Sequence, residues 1–131
     1  SQAIRSAQID RAVPVVARHP RVRAVMRQRQ RELAKETDAV VEGRDIGTVV
    51  APQAEVKVYL TAREEVRARR RLADRPDVGV DALATDLRLR DRSDAARMEP
   101  APDAVLIDTS DLGVDEVVAR IEDLVRQRLP V

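Results

Sequence analysis

Residues 40–50 read Val-Val-Glu-Gly-Arg-Asp-Ile-Gly-Thr-Val-Val. An apolar run stops, and a glycine, an arginine and an aspartate follow at once. This order predicts a buried strand whose carboxyl end delivers charge into a crevice, the place where open α/β sheets bind ligands. Arg44 has the planar fork that grips a phosphate, and Asp45 accepts hydrogen bonds from an amine or a hydroxyl. A solvated turn with a local ion pair satisfies the same pattern. Two further clusters carry comparable chemistry. Arg67, Arg69, Arg70 and Arg71 crowd one segment, and Arg90, Asp94 and Arg97 are spaced at four and three, so they share a face wherever that stretch is helical. Arginines converging from separate elements can hold two phosphoryl groups and neutralise charge during transfer. Solvated helix faces laced with ion pairs remain the alternative for both groups.

The composition narrows the options. The 131 residues suffice for one domain with a real core, and a hydrophobic content of 44% argues against global disorder. Phe and Trp are absent and Tyr59 is the only aromatic, so no stacking platform for single strands can be built. The formal net charge of +1 provides no field for a polyanion, and nucleic acid is not an expected partner. Without cysteine there are no disulfides and no thiolate metal sites, and His19 has no second imidazole with which to hold zinc. No apolar run approaches membrane-spanning length and the start is not a signal peptide; the expectation is a cytoplasmic protein with no membrane partner. The missing initiator methionine suggests that the chain begins inside a longer protein. No Gly-x-x-x-x-Gly-Lys-Ser/Thr occurs, so there is no visible loop with which to grip a nucleoside triphosphate, and no metal ligands are expected. His19 as a catalytic base, or residues 108–111 as contacts to a nucleotide base, are weaker possibilities than a helix start and a turn.

These side chains need elements to position them. Helices are predicted over residues 3–17, with Pro14 bending or ending the segment, and from Pro20 onward, where proline suits the first turn. Strands are predicted over 38–42, over 55–60, where Val56, Val58 and Leu60 alternate, and over 104–108. Thr61 is placed to cap a helix over 63–74. A loop follows at 74–79, then a helix over 80–92. The last helix, 114–129, repeats Val114, Val117, Val118, Ile121, Leu124, Val125 and Leu129 at threes and fours. Strands alternating with helices mean an α/β fold, a parallel sheet with flanking helices.

With these residues in hand, the chain resembles bacterial cytidylate kinase, specifically its carboxyl-terminal part. The matching segments are Pro20-Arg21-Val22-Arg23 and residues 42–50, 52–60, 66–71, 90–97 and 104–110, in family order and at nearly family spacing. Gly-Arg-Asp-Ile-Gly-Thr-Val-Val is the specific block; the arginine clusters alone are not. The resemblance implies a P-loop nucleoside monophosphate kinase-like fold, here incomplete because the family's central first strand has no counterpart. Residues 1–131 would form the acceptor-nucleotide side, with a lid at about 72–97. It further implies transfer of the γ-phosphoryl of ATP to CMP or dCMP, with Mg2+. By matching position Arg23 and Asp45 would read cytosine, Arg44 and Arg97 would hold the acceptor phosphate, and Arg90 and Asp94 would address the ribose and phosphate. Of these, Arg44, Arg90 and Arg97 would act in catalysis, while Arg67, Arg70 and Arg71 would border the lid over the phosphates. Pro14 stands where the family pattern has a serine touching the base. Lacking the P-loop, the chain is expected to be inactive alone. A non-catalytic fragment that binds nucleotide or protein, self-associating through exposed sheet edges, is the competing expectation.

Overall fold

The computed structural model describes residues 4, 6–75, 79, 85, 88, 89, 92 and 99–129. These form two compact units, Ser1–Glu42 and Gly43–Val131. The first is a pair of helices, α1 (Ala7–Ala17) and α2 (Pro20–Glu36), that pack against one another. The Ser6 hydroxyl accepts the Ile9 N–H at 3.3 Å and caps α1, so the helix opens at Ala7 rather than residue 3. Pro14 sits inside α1, which runs on to Ala17. Pro20 opens α2 as expected for a residue with no N–H to satisfy. Gln28 and Arg29 bond the same acceptor, Glu32, one turn on. Neither helix has a buried residue, and Val13, Val16, Val25, Met26 and Leu33 are all exposed.

Residues 38–42 are not a strand. A strand exists only where its N–H and C=O groups meet a neighbouring ladder. Among the described residues only two strands pair, and Val40 is 99% exposed.

The second unit holds the sheet. Strands β1 (Val58–Thr61) and β2 (Val105–Asp108) run parallel, with Val58 opposite Val105 and Thr61 opposite Asp108. The ladder is extended at both ends by Val105 N–H to the Lys57 carbonyl and Thr109 N–H to the Thr61 carbonyl. β1 is shorter than the predicted 55–60 because β2 offers no partner before Lys57. Between the strands lies α3 (Glu64–Asp74), and after them α4 (Val114–Arg128). Thr61 ends β1 rather than capping α3, whose cap position is Arg63. Glu64 and Glu65 in the first turn and Arg71 in the last complement the α3 dipole; Asp115, Glu116, Arg126 and Arg128 do the same for α4.

The hydrophobic core of this unit is small and aliphatic: Val50, Val66, Ala101 and Ile107. Along α4 the predicted stripe is only partly covered; Val117, Ile121 and Leu124 are half-buried, while Val114, Val118, Val125 and Leu129 stay exposed. The helix predicted over 80–92 lies largely outside the described residues, within which Thr85, Arg88, Leu89 and Arg92 are helical. No described helix is long and apolar enough to cross a membrane.

Candidate active site

Gly43, Arg44 and Asp45 lead into a π-helical turn, Ile46–Val50, which the sequence pattern did not reveal. Its wide winding comes from two carbonyls. That of Asp45 accepts the Val49 N–H at 2.9 Å and the Val50 N–H at 3.2 Å, while that of Ile46 accepts the Ala51 N–H at 2.7 Å. The Thr48 hydroxyl adds a weaker bond to the Asp45 carbonyl at 3.4 Å. π windings are rare, and those known as bulges within α-helices are frequent at functional sites. Of the two glycines of the block only Gly43 is held by close approach; at Gly47 an added side chain would find ordinary contact. A Cβ on Gly43 would lie 2.9 Å from Ile46 Cγ1 and Cδ1, and one on Gly47 would lie 3.4 Å from Lys57 Cδ and 3.6 Å from Ala101 Cβ. Val50 at the end of the turn is a core residue, so the turn is anchored by burial while Arg44 at its start is exposed and Asp45 half-buried.

Behind the turn runs Lys57. The residue is only 8% exposed. Its ammonium donates to the Pro52 carbonyl and, at 2.9 Å, to Asp103 Oδ1. That hydrogen bond holds the Asp103 carboxyl below the usual aspartate range, although the carboxylate itself faces solvent. The alternation of Val56, Val58 and Leu60 predicts the opposite face of this segment for Lys57, and on a half-covered strand that face is solvated. The available signal was compositional: Lys57 is one of two lysines among 24 basic residues. A compact ammonium on a flexible stem can meet a carbonyl and a carboxylate at one point, whereas the guanidinium is a wider planar fork.

A second polar cluster closes the carboxyl ends of the strands. Thr109, itself buried, donates its hydroxyl to the Thr61 carbonyl at 2.9 Å. Arg70 reaches from α3 to the same residue, bonding Thr109 Oγ1 at 2.9 Å and also its carbonyl. Arg63 forks onto Asp111, with Nη2 3.1 Å from Oδ1 and Nη1 3.3 Å from Oδ2, and its Nε meets Glu65 Oε1 at 2.9 Å. The Arg63 N–H donates to Ser110 Oγ, whose own hydroxyl and N–H both point at Asp108 Oδ1. The Ser110 bonds lower the Asp108 carboxyl, and the bond from Arg63 lowers that of Asp111 and raises the guanidinium in return. Residues 108–111 are thus a turn whose polar atoms tie β2 to α3, as the turn alternative predicts.

The predicted site residues fall in three groups. Arg44 and Asp45 adjoin at the π turn. Arg67, Arg70 and Arg71 share α3, where they are three and four positions apart, and Arg70 is engaged by Thr109. Arg23 lies half-buried on α2 in the first unit. Arg90, Asp94 and Arg97 lie outside the described residues. Sequence reasoning missed the π turn and the Lys57–Asp103 tie.

Comparison with known proteins gives one answer. The family model described as "Cytidylate kinase" matches residues 1–127. A cytidylate kinase of Geobacillus sp. (strain WCH70) is 44% identical over 134 residues, covering 96% of this chain and 60% of the relative. That of Granulibacter bethesdensis is 42% identical, covering 97% of this chain and 65% of the relative. That of Geobacillus kaustophilus is 46% identical, covering 96% and 60%. The chain therefore spans less than two thirds of the length of these curated relatives. A match over nearly every residue, with the Gly-Arg-Asp-Ile-Gly block folded into an anchored turn, leads to one conclusion: the chain belongs to the cytidylate kinase family.

Proposed function

We propose that this chain forms the acceptor-nucleotide side of a cytoplasmic kinase that transfers the γ-phosphoryl of ATP to CMP or dCMP, giving CDP or dCDP. The observation that carries this reading is the π turn, whose bonds hold the backbone of Asp45, next to Arg44, and whose last residue, Val50, is buried. Cytosine presents an exocyclic amine where uracil presents a carbonyl oxygen. The Asp45 carboxylate accepts the first and repels the second. A hydrogen bond to a charged group contributes about 1.5–3 kcal/mol, enough for roughly tenfold or greater discrimination. Arg44 forks onto the acceptor phosphate and screens charge that would otherwise oppose the incoming phosphoryl group. Arg23 is assigned to the base, Arg97 to the phosphate, Arg90 and Asp94 to the ribose and phosphate region, and Arg67, Arg70 and Arg71 to the phosphate border; these assignments rest on family positions.

ATP and Mg2+ belong to the family's reaction. The chain has no glycine-rich Lys-Ser/Thr loop, and the described residues hold no group of three His, Cys, Asp or Glu side chains suited to a metal. The residues present do not fit the triphosphate and its metal, so no step is derived through them, and the chain tested alone is proposed to have negligible kinase activity. Titration of CMP, UMP and AMP into the chain tests the acceptor reading. Selective CMP binding that Asp45→Ala abolishes is the expected result; equal affinity for the three nucleotides contradicts it.

A second reading has its own support. Parallel sheets are normally covered on both faces. Here Leu60 and Leu106, which the register puts on opposite faces, are 51% and 61% exposed. This favours association through the sheet. Sedimentation that shifts with concentration while CMP fails to bind would select a binding module over a kinase part.

A further inference from the structure

We infer that Lys57 is a positioning residue for the base-reading aspartate, acting through the π turn rather than on the nucleotide; this rests on the acceptor-site reading above. Three observations converge. The stem of Lys57 lies beside Gly47 at the centre of the turn, where an added Cβ would make ordinary van der Waals contact with Lys57 Cδ at 3.4 Å and Cγ at 3.7 Å. Its ammonium is pinned at two points, the Pro52 carbonyl just after the turn and Asp103 just before β2. Its own carbonyl accepts the Val105 N–H, so its backbone is fixed by the strand ladder. The side chain is therefore a strut. One end is built into the sheet, the other holds the segment after the turn, and its length lines the side of the turn that Gly47 faces. Ala101, buried and also within reach of a Cβ at Gly47, completes that lining.

The turn's bonds converge on the Asp45 and Ile46 carbonyls, and π windings are rare, so this one gains from the contacts around it. Because the Asp45 carbonyl is the acceptor for Val49 and Val50, any slackening of the turn moves the residue that reads the base. Recognition geometry tolerates displacements of only about 0.5 Å. The ammonium itself is turned to Pro52 and Asp103, which makes its contribution indirect.

Amide hydrogen exchange on the full chain tests this, comparing the unaltered protein with Lys57→Met, Asp103→Leu and Asp103→Asn. The Val49, Val50 and Ala51 amides should lose about tenfold or more of their protection in Lys57→Met and Asp103→Leu, while amides within α4 keep theirs. Asp103→Asn retains an oxygen acceptor for the ammonium and should rescue the turn. Asp103 faces solvent, so its variants carry the test if Lys57→Met does not fold. Equal loss in the turn and α4, no loss in the turn, or an unprotected turn in the unaltered protein overturns the inference. The second readout is the ratio of UMP to CMP dissociation constants. A reduced folded fraction weakens both nucleotides alike and cancels in the ratio, whereas a displaced Asp45 lowers it by about threefold or more. An unchanged ratio in a protein that prefers CMP overturns the positioning role. If the unaltered chain shows no CMP preference, the acceptor-site reading fails instead, and exchange alone decides whether Lys57 holds the turn.

Discussion

The two units of this chain differ most plainly in burial. In the helical pair α1–α2 each helix carries an apolar stripe, Ser6 caps α1, Gln28 and Arg29 meet Glu32, and no residue of either helix is buried. The β1–α3–β2 unit has a small buried core, and polar ties between distant parts of the sequence cross it: Lys57 to Asp103, Arg70 to Thr109 and Arg63 to Asp111. Short isolated helices are marginal in water, and their stability comes from packing an amphipathic face. The lesson is that the residues read as gripping cytosine differ in their support. Asp45 belongs to the cross-tied unit, whereas Arg23 rides on a helix whose apolar face is still open.

The contrast can be broken by substitution. Ile107→Ala removes a side chain that is 5% exposed at the centre of β2, and it should cost about 2–5 kcal/mol in urea unfolding. Val13→Ala, on exposed α1, should stay within about 0.5 kcal/mol. Comparable losses at both sites would erase the distinction. Gly43→Ala should cost about 1–3 kcal/mol through overpacking, because its Cβ would press on Ile46 at 2.9 Å. The change should appear in the amide spectrum of the π turn before it appears in α1 or α2.

The smallest effect concerns acid. Asp103, Asp108 and Asp111 all titrate below the 3.8 of an unperturbed aspartate, lowered chiefly by side-chain hydrogen bonds from Lys57, Ser110 and Arg63 respectively. A carboxyl depressed in the folded state stabilises fully above its unfolded value, and the contribution is lost as pH falls through the folded one. The second unit should therefore be insensitive to pH between 5 and 7, about one unit and more above that aspartate value, and weaken below it. All three groups are exposed, so the loss should be slight and reduced by salt. A stability that rose on acidification would contradict these ties.

Much of this was legible in the sequence. Period-two alternation located β1, a short apolar run after two prolines located β2, aliphatics at threes and fours located α4, and Pro20 marked the start of α2. The 38–42 segment misled because two valines record a preference for extension but not whether a partner strand is present. Thr61 misled because a hydroxyl before a helix is equally at home as the last residue of a strand. The Gly-Arg-Asp-Ile-Gly block marked a candidate site, yet its π winding is invisible locally, and the residues beside it, Lys57 and Ala101, lie ten residues after Gly47 and far beyond. Long-range ties such as Lys57–Asp103 leave no periodic trace.

The most direct test of the account follows amide chemical shifts while CMP is titrated into the full chain. The prediction is saturable movement centred on Gly43, Arg44, Asp45 and the Ile46–Val50 turn, with UMP producing much less at equal concentration. Shifts confined to the exposed faces of β1, β2 or α4, or identical responses to CMP and UMP, would contradict it.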